Sequence, residues 1–190
     1  NAVVSVFYCP TRREAAVYPY VLENNWTPFN SNKPETVARN DYGANSGDTT
    51  EGSHRFATSW QTQPDGTREY SNYQMIWWPK DYFNVDKNPN FKWPPEDGQS
   101  GISFYGAEIR IAEVKDGTSK TYAVGEKYMN PDFYTDGWGA NDNHSAYQGA
   151  DWDINCWASG KTADRDFSPK QDTPGLDLFG MFGSAHPGGF

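Results

Sequence analysis

The chain has little of what usually fills a protein core. Its 190 residues include three Leu and five Ile, and the mean hydropathy is −0.88. No apolar run approaches the roughly 18 residues that a membrane-spanning helix needs, so no transmembrane segment is expected. No leader is expected either, because the opening AVVSVFY reads as a strand. Basic residues are scarce: 16 Lys and Arg stand against 25 Asp and Glu, for a net charge of −9. With a pI of about 4.7, this argues against nucleic acid and anionic membrane surfaces as partners. Long helical patterns are missing, which argues against a helical bundle.

Aromatic residues and turn formers are plentiful. Eight Trp, twelve Tyr and eleven Phe bury much area per residue. Gly 18 and Pro 13 punctuate the chain. The length suits one domain with a core of its own. The expected class is α+β, predominantly antiparallel β with long loops. A single domain spans 1–190, with an aromatic-rich insertion at about 51–100.

Residues 101–129 form the most regular stretch. Ile109 and Ile111 alternate with Glu108 and Arg110, the period-2 pattern of a half-buried strand. Ala112 to Val114 can form one helical turn before Asp116-Gly117 breaks it. Thr121 to Val124 then resume extended structure, so an antiparallel sheet is expected to include 102–111 and 120–126. Residues 1–9 form a further strand candidate. Thr11 to Ala16 can open a short helix, because Thr11 and Glu14 have capping-box spacing.

Enzymatic signatures are poor. His54, His144 and His186 lie in neither an HExxH nor a nucleophile-elbow context. His186 precedes Pro187-Gly188-Gly189, which calls for a shaped turn. The 131–160 region holds five Asp with no Lys or Arg among them. Hard cations seek such clusters, so a Ca²⁺ site is expected, with Asp151 and Asp153 as ligands and Asp136 or Asp142 completing it. The alternative is a solvated acidic loop. Zinc fits less well there, because the soft and nitrogen ligands nearby are His144 and Cys156. Trp60, Trp77, Trp78 and Trp93 are candidates for stacking on sugar rings, or else they belong to the core. Cys9 and Cys156 are either a disulfide, in an exported protein, or two buried thiols.

Four stretches together carry a family likeness. They are Phe7 to Arg13 (FYCPTRR), Ala38 to Asp48 (ARNDYGANSGD), Ile111 to Tyr128 with DGTSKT and GEKY, and Phe182 to Phe190 (FGSAHPGGF). In order and spacing they resemble the planctomycete family of pseudopilin-like secreted proteins built around a domain of unknown function. Such proteins begin with a prepilin-type signal and a long hydrophobic helix, and continue past the HPGG motif. The resemblance implies a pseudopilin-like globular head without its N-terminal helix. It implies a non-enzymatic structural subunit of an extracellular filament or type II secretion pseudopilus. Its partners would be copies of itself or related pilin-like subunits, with polysaccharide as a further ligand. Membrane contact would come through the missing helix alone, and the location would be extracellular or at the cell surface, periplasmic during assembly. The alternative reading is a soluble extracellular carbohydrate-binding module.

Overall fold

A computed structural model describes residues 2–21, 32–47, 100–103, 107–147, 153–158 and 167–188, together with the backbone of 61–62 and 68–69. The strands in chain order are β1 (Val17–Pro19), β2 (Thr36–Ala38), β3 (Tyr42–Asn45), β4 (Gln61–Thr62), β5 (Arg68–Glu69), β6 (Val124–Glu126), β7 (Asn155–Cys156), β8 (Lys170–Gln171) and β9 (Gly183–Ser184). They are short, and they pair in small sheets. β1 and β2 are antiparallel, with Tyr18 opposite Val37. β3 lies between β6, which runs antiparallel to it, and β7, which runs parallel. β4 and β5 form an antiparallel pair, and β8 and β9 a parallel one.

The described residues are therefore mainly β, without the helices that the expected α+β class implies. Helical structure among the described residues is limited to 3-10 turns at Ser5–Phe7, Ile111–Glu113 and Pro131–Phe133. The described residues of 1–9, residues 2–9, do not form the expected strand. The expected helix after Thr11 is also absent: the chain turns at residues 10–12, with the Arg12 and Arg13 amides donating to Cys9 O, and then enters β1. Of the antiparallel sheet expected over 102–111 and 120–126, Val124–Glu126 is a strand, but the described residues of 102–111 are not, and 104–106 lie outside the described residues. Glu113 accepts a hydrogen bond from the Arg110 amide at 2.6 Å and closes a single turn instead. Ile111 is 80% exposed, so its alternation with charged neighbours reflects no buried face. β6 finds its partner in β3, some eighty positions earlier. The Asp116-Gly117 turn forms as the sequence suggests, with Gly117 at φ +84.

The core explains why such short strands suffice. Its apolar cluster is small: Tyr128, Trp157, Phe167 and Met181, with Leu178 packed against them. Among the described residues, fifteen polar or charged side chains are buried against thirteen apolar ones. A buried charge is tolerated only when it is paired and hydrogen-bonded, so the arrangement of these groups decides the fold. Close approach of β3 and β7 also depends on Gly43, where a Cβ would run into Cys156 Sγ.

Candidate functional site

The turn at Cys9-Pro10-Thr11 points two successive arginines into the interior. Arg12 grips Asp172 with two nitrogens, Nε to Oδ2 at 2.8 Å and Nη2 to Oδ1 at 3.2 Å. Its remaining donors reach the carbonyls of Asp41 (3.1 Å), Lys127 (2.8 Å) and Gly183 (3.3 Å). One guanidinium thus ties the end of β6 to β9 and to the approach to β3. A planar five-donor fork suits this task, and an ammonium would not.

Arg13 sits between two carboxylates. Nε donates to Asp41 Oδ1 at 2.8 Å, and Nη2 donates to Asp142 Oδ1 at 3.0 Å and to Asp41 Oδ1. Nη1 donates to Asp142 Oδ2 and to Tyr134 O. Lys127 approaches Asp142 from the other side, Nζ to Oδ1 at 2.9 Å. Arg39 is fully buried and donates to His144 O at 2.6 Å and to Pro19 O. The carboxylates also order backbone. Asp41 accepts from the Cys9 amide at 2.7 Å, Asp172 from the Met129 amide at 3.0 Å and Asp153 from the His144 amide at 2.5 Å. Among the described residues, four buried Arg and Lys side chains, Arg12, Arg13, Arg39 and Lys127, are set against five buried carboxylates, Asp41, Glu126, Asp142, Asp153 and Asp172.

Titration follows from this geometry. Burial would raise Asp142, but Arg13 and then Lys127 hold it at about 2. Burial raises Asp41 despite the pull of Arg13, and the nearby Asp142 charge adds to the rise. The two carboxylates that share one arginine are therefore driven apart. Burial would lower Arg13, but Asp142 and Asp41 outweigh it and keep the group charged.

At the edge of this network lies a second group. Cys9 Sγ is 3.6 Å from His186 Nε2, and His186 Nε2 is 3.7 Å from Glu126 Oε1. One donor atom from each of the three residues falls within 4.8 Å of the others. Cys9 is buried, as is Glu126 at the end of β6, while the His186 side chain is half exposed. Ser184 in β9 positions two of the three: its hydroxyl donates to Glu126 Oε2 and accepts from the His186 amide at 3.0 Å. Burial would raise Glu126, but hydrogen bonds from Ser184 and Cys9 hold it below its ordinary value. Burial pushes the Cys9 thiol up, and its bond to Glu126 adds to that.

The residues expected to bind Ca²⁺ have other roles where they are described. Asp142 is neutralised by Arg13 and Lys127. Asp153 is buried beneath the His144 amide, and Asp136 caps the Trp138 amide at 2.9 Å. Asp151 lies outside the described residues, as do Trp60, Trp77, Trp78 and Trp93. At Asp142 the charge that motivated a cation is met by bases from distant parts of the chain. Cys9 and Cys156 are not bridged: both are free and buried. Cys9 faces Glu126 and His186, whereas Cys156 packs over Gly43, with its thiol pushed up to about 12 by burial.

Every stretch that carries the family likeness supplies part of this region: Cys9, Arg12 and Arg13; Arg39 and Asp41; Glu126 and Lys127; Ser184 and His186. The model of the family described as "Protein of unknown function (DUF1559)" matches residues 1–190. The chain belongs to the DUF1559 family. No curated protein and no solved structure matches it. In this DUF1559 chain, the sequence pattern assigned Arg12 and Arg13 to a helix start and missed the ionic core. The available signal was paired arginines after Cys-Pro in an acidic chain with few aliphatic residues.

Proposed function

We propose that the chain is the globular head of a secreted pseudopilin-like subunit, a structural part of an extracellular filament or type II secretion pseudopilus that acts without catalysis. The observation that carries this reading is an apolar strip along residues 3–7. Val3, Val4, Val6 and Phe7 are 39%, 37%, 72% and 39% exposed. The strip is held rather than loose. Tyr147 Oη donates to Ala2 O at 2.7 Å at one end, and the Asp41 amide donates to Phe7 O at 2.8 Å at the other. An apolar segment fixed in place and left open to solvent favours association. In the family that the motifs resemble, the head meets its apolar helix on this side of the sequence, and neighbouring copies pack along that helix. The ionic core suits such a role, because it gives a small, aliphatic-poor head a single arrangement without a bridge between Cys9 and Cys156.

The test is Val6→Asp in the full-length protein, expressed in the producing cell. Wild-type protein should appear in sheared, pelletable surface assemblies, and the variant should be lost from them at least tenfold. Its melting free energy should stay within about 0.5 kcal/mol, as for other exposed substitutions. If the wild type is instead released solely as a free monomer that binds polysaccharide, the reading gives way to a carbohydrate-binding module.

A further inference from the structure

We propose that Cys9, Glu126 and His186 form a zinc site with three protein ligands and a fourth position open to solvent. The argument begins with spacing. Around one tetrahedral zinc, with Zn–S about 2.3 Å and Zn–N about 2.0 Å, the sulfur and nitrogen stand about 3.5 Å apart. Here Cys9 Sγ and His186 Nε2 are 3.6 Å apart. A carboxylate oxygen and an imidazole nitrogen on the same ion stand about 3.3 Å apart, and Glu126 Oε1 lies 3.7 Å from His186 Nε2. The latter distance is beyond hydrogen-bonding reach, so the imidazole and the carboxylate are spaced as co-ligands rather than as a bonded pair.

The donor set selects the metal. A thiolate, an imidazole and a carboxylate suit zinc, whereas calcium and magnesium require a shell of oxygens. The site also has outer support. The Ser184 hydroxyl holds Glu126 Oε2 and receives the His186 amide, and the Cys9 amide is fixed on Asp41. Such partners orient ligands before the ion arrives. Binding releases the Cys9 thiol proton to solvent, so the thiolate and the Glu126 carboxylate together balance the ion's two charges. The His186 side chain is 50% exposed, which places the fourth ligand, a water or a group from a partner, on the solvent side. The ion would join Cys9 to His186, 177 positions apart in the sequence, and clamp the turn after β9 onto the start of the head.

The proposal is independent of the filament role and is tested by metal binding alone. The full chain is dialysed against chelator-buffered Zn²⁺ under reducing conditions, and bound metal is counted. Co²⁺ is then substituted as a spectroscopic probe. One equivalent of zinc should bind, and excess Ca²⁺ or Mg²⁺ should not displace it. The cobalt form should show a thiolate charge-transfer band that Cys9→Ser abolishes. His186→Ala changes a half-exposed side chain, so the variant should fold, as circular dichroism will check, and should lose at least tenfold in zinc affinity. Ser184→Ala should weaken binding by about 10–100-fold through loss of ligand orientation. Absence of stoichiometric zinc in the wild type would overturn the proposal. So would a folded His186→Ala variant that binds as tightly, or a cobalt spectrum without the thiolate band.

Discussion

Arg13→Ala removes the side chain on which the ionic core depends most. It deletes the donors to Asp41, Asp142 and Tyr134 O. Asp142 keeps Lys127 at 2.9 Å, but Asp41 is fully buried and retains mainly the Cys9 amide at 2.7 Å. Removing one partner of a buried ion pair costs about 3–5 kcal/mol, because the other charge is left in the interior. For a chain of this size, each kcal/mol moves the midpoint by about 2–4 °C, so the melt should fall by about 6–20 °C. Total stability of a domain is about 5–15 kcal/mol, so the variant should also express poorly. Arg13→Lys keeps the charge but loses the fork, and its loss should be intermediate. The assay is urea unfolding, followed by near-ultraviolet circular dichroism and by tryptophan fluorescence. A double-mutant cycle with Asp142→Asn should give a coupling of about 0.5–3 kcal/mol. If Arg13→Ala costs less than about 1 kcal/mol, as an exposed ion pair would, the reasoning fails.

Acid sensitivity follows from Asp142. Its folded value of about 2 lies below its ordinary 3.8, so the charged form is favoured in the folded state. The resulting stability, about 2 kcal/mol, is fully present above the ordinary value and is lost as pH falls from there through about 2. Asp142→Asn should flatten that part of the acid limb in urea titrations at stepped pH; an unchanged slope would mean that Asp142 is not held down by its cations. The thiols give a further expectation. Cys9 and Cys156 are buried and free, with both thiols pushed up by burial, so neither should react with iodoacetamide in the native protein. Both should alkylate in denaturant without reductant, and a mass lower by two hydrogens, with no reaction, would reveal a bridge.

Local chemistry was the legible part of the sequence. The Asp116-Gly117 turn is a backbone requirement that neighbouring residues set, and it appears where the dipeptide stands. The loop-rich, predominantly β character followed from Gly, Pro and aromatic content, whereas the α-helical part of the expected α+β class has no counterpart among the described residues. Pairing was not legible. β3 joins β6 and β7 across long intervals, and strands of two to four residues carry too little periodicity to identify a partner. The Ile109–Ile111 alternation misled because hydrophobic period predicts a face only where an apolar layer covers it. The ionic core was hidden for a related reason. Charged residues are normally assigned to the surface, and nothing local distinguishes Arg13, which is 6% exposed, from a solvated arginine. The acidic 131–160 stretch was read with its own neighbours, whereas the counter-ions of its Asp142 come from residues 13 and 127. The Cys9, Glu126 and His186 group was likewise divided among three of the four stretches that carried the family likeness, and only the fold brings them together.

The central claim is that buried carboxylates, more than strand ladders, fix this fold. Native-state hydrogen exchange tests it most directly, because three amides donate to those carboxylates: Cys9 to Asp41, Met129 to Asp172 and His144 to Asp153. They should exchange only through global unfolding, as slowly as the Tyr128 amide bonded to Met181 O. The Trp138 amide, whose bond to Asp136 is exposed, should exchange through local opening and serve as the fast reference. Exchange of Cys9, Met129 and His144 at the Trp138 rate would show that the ionic network opens on its own, and would contradict the account.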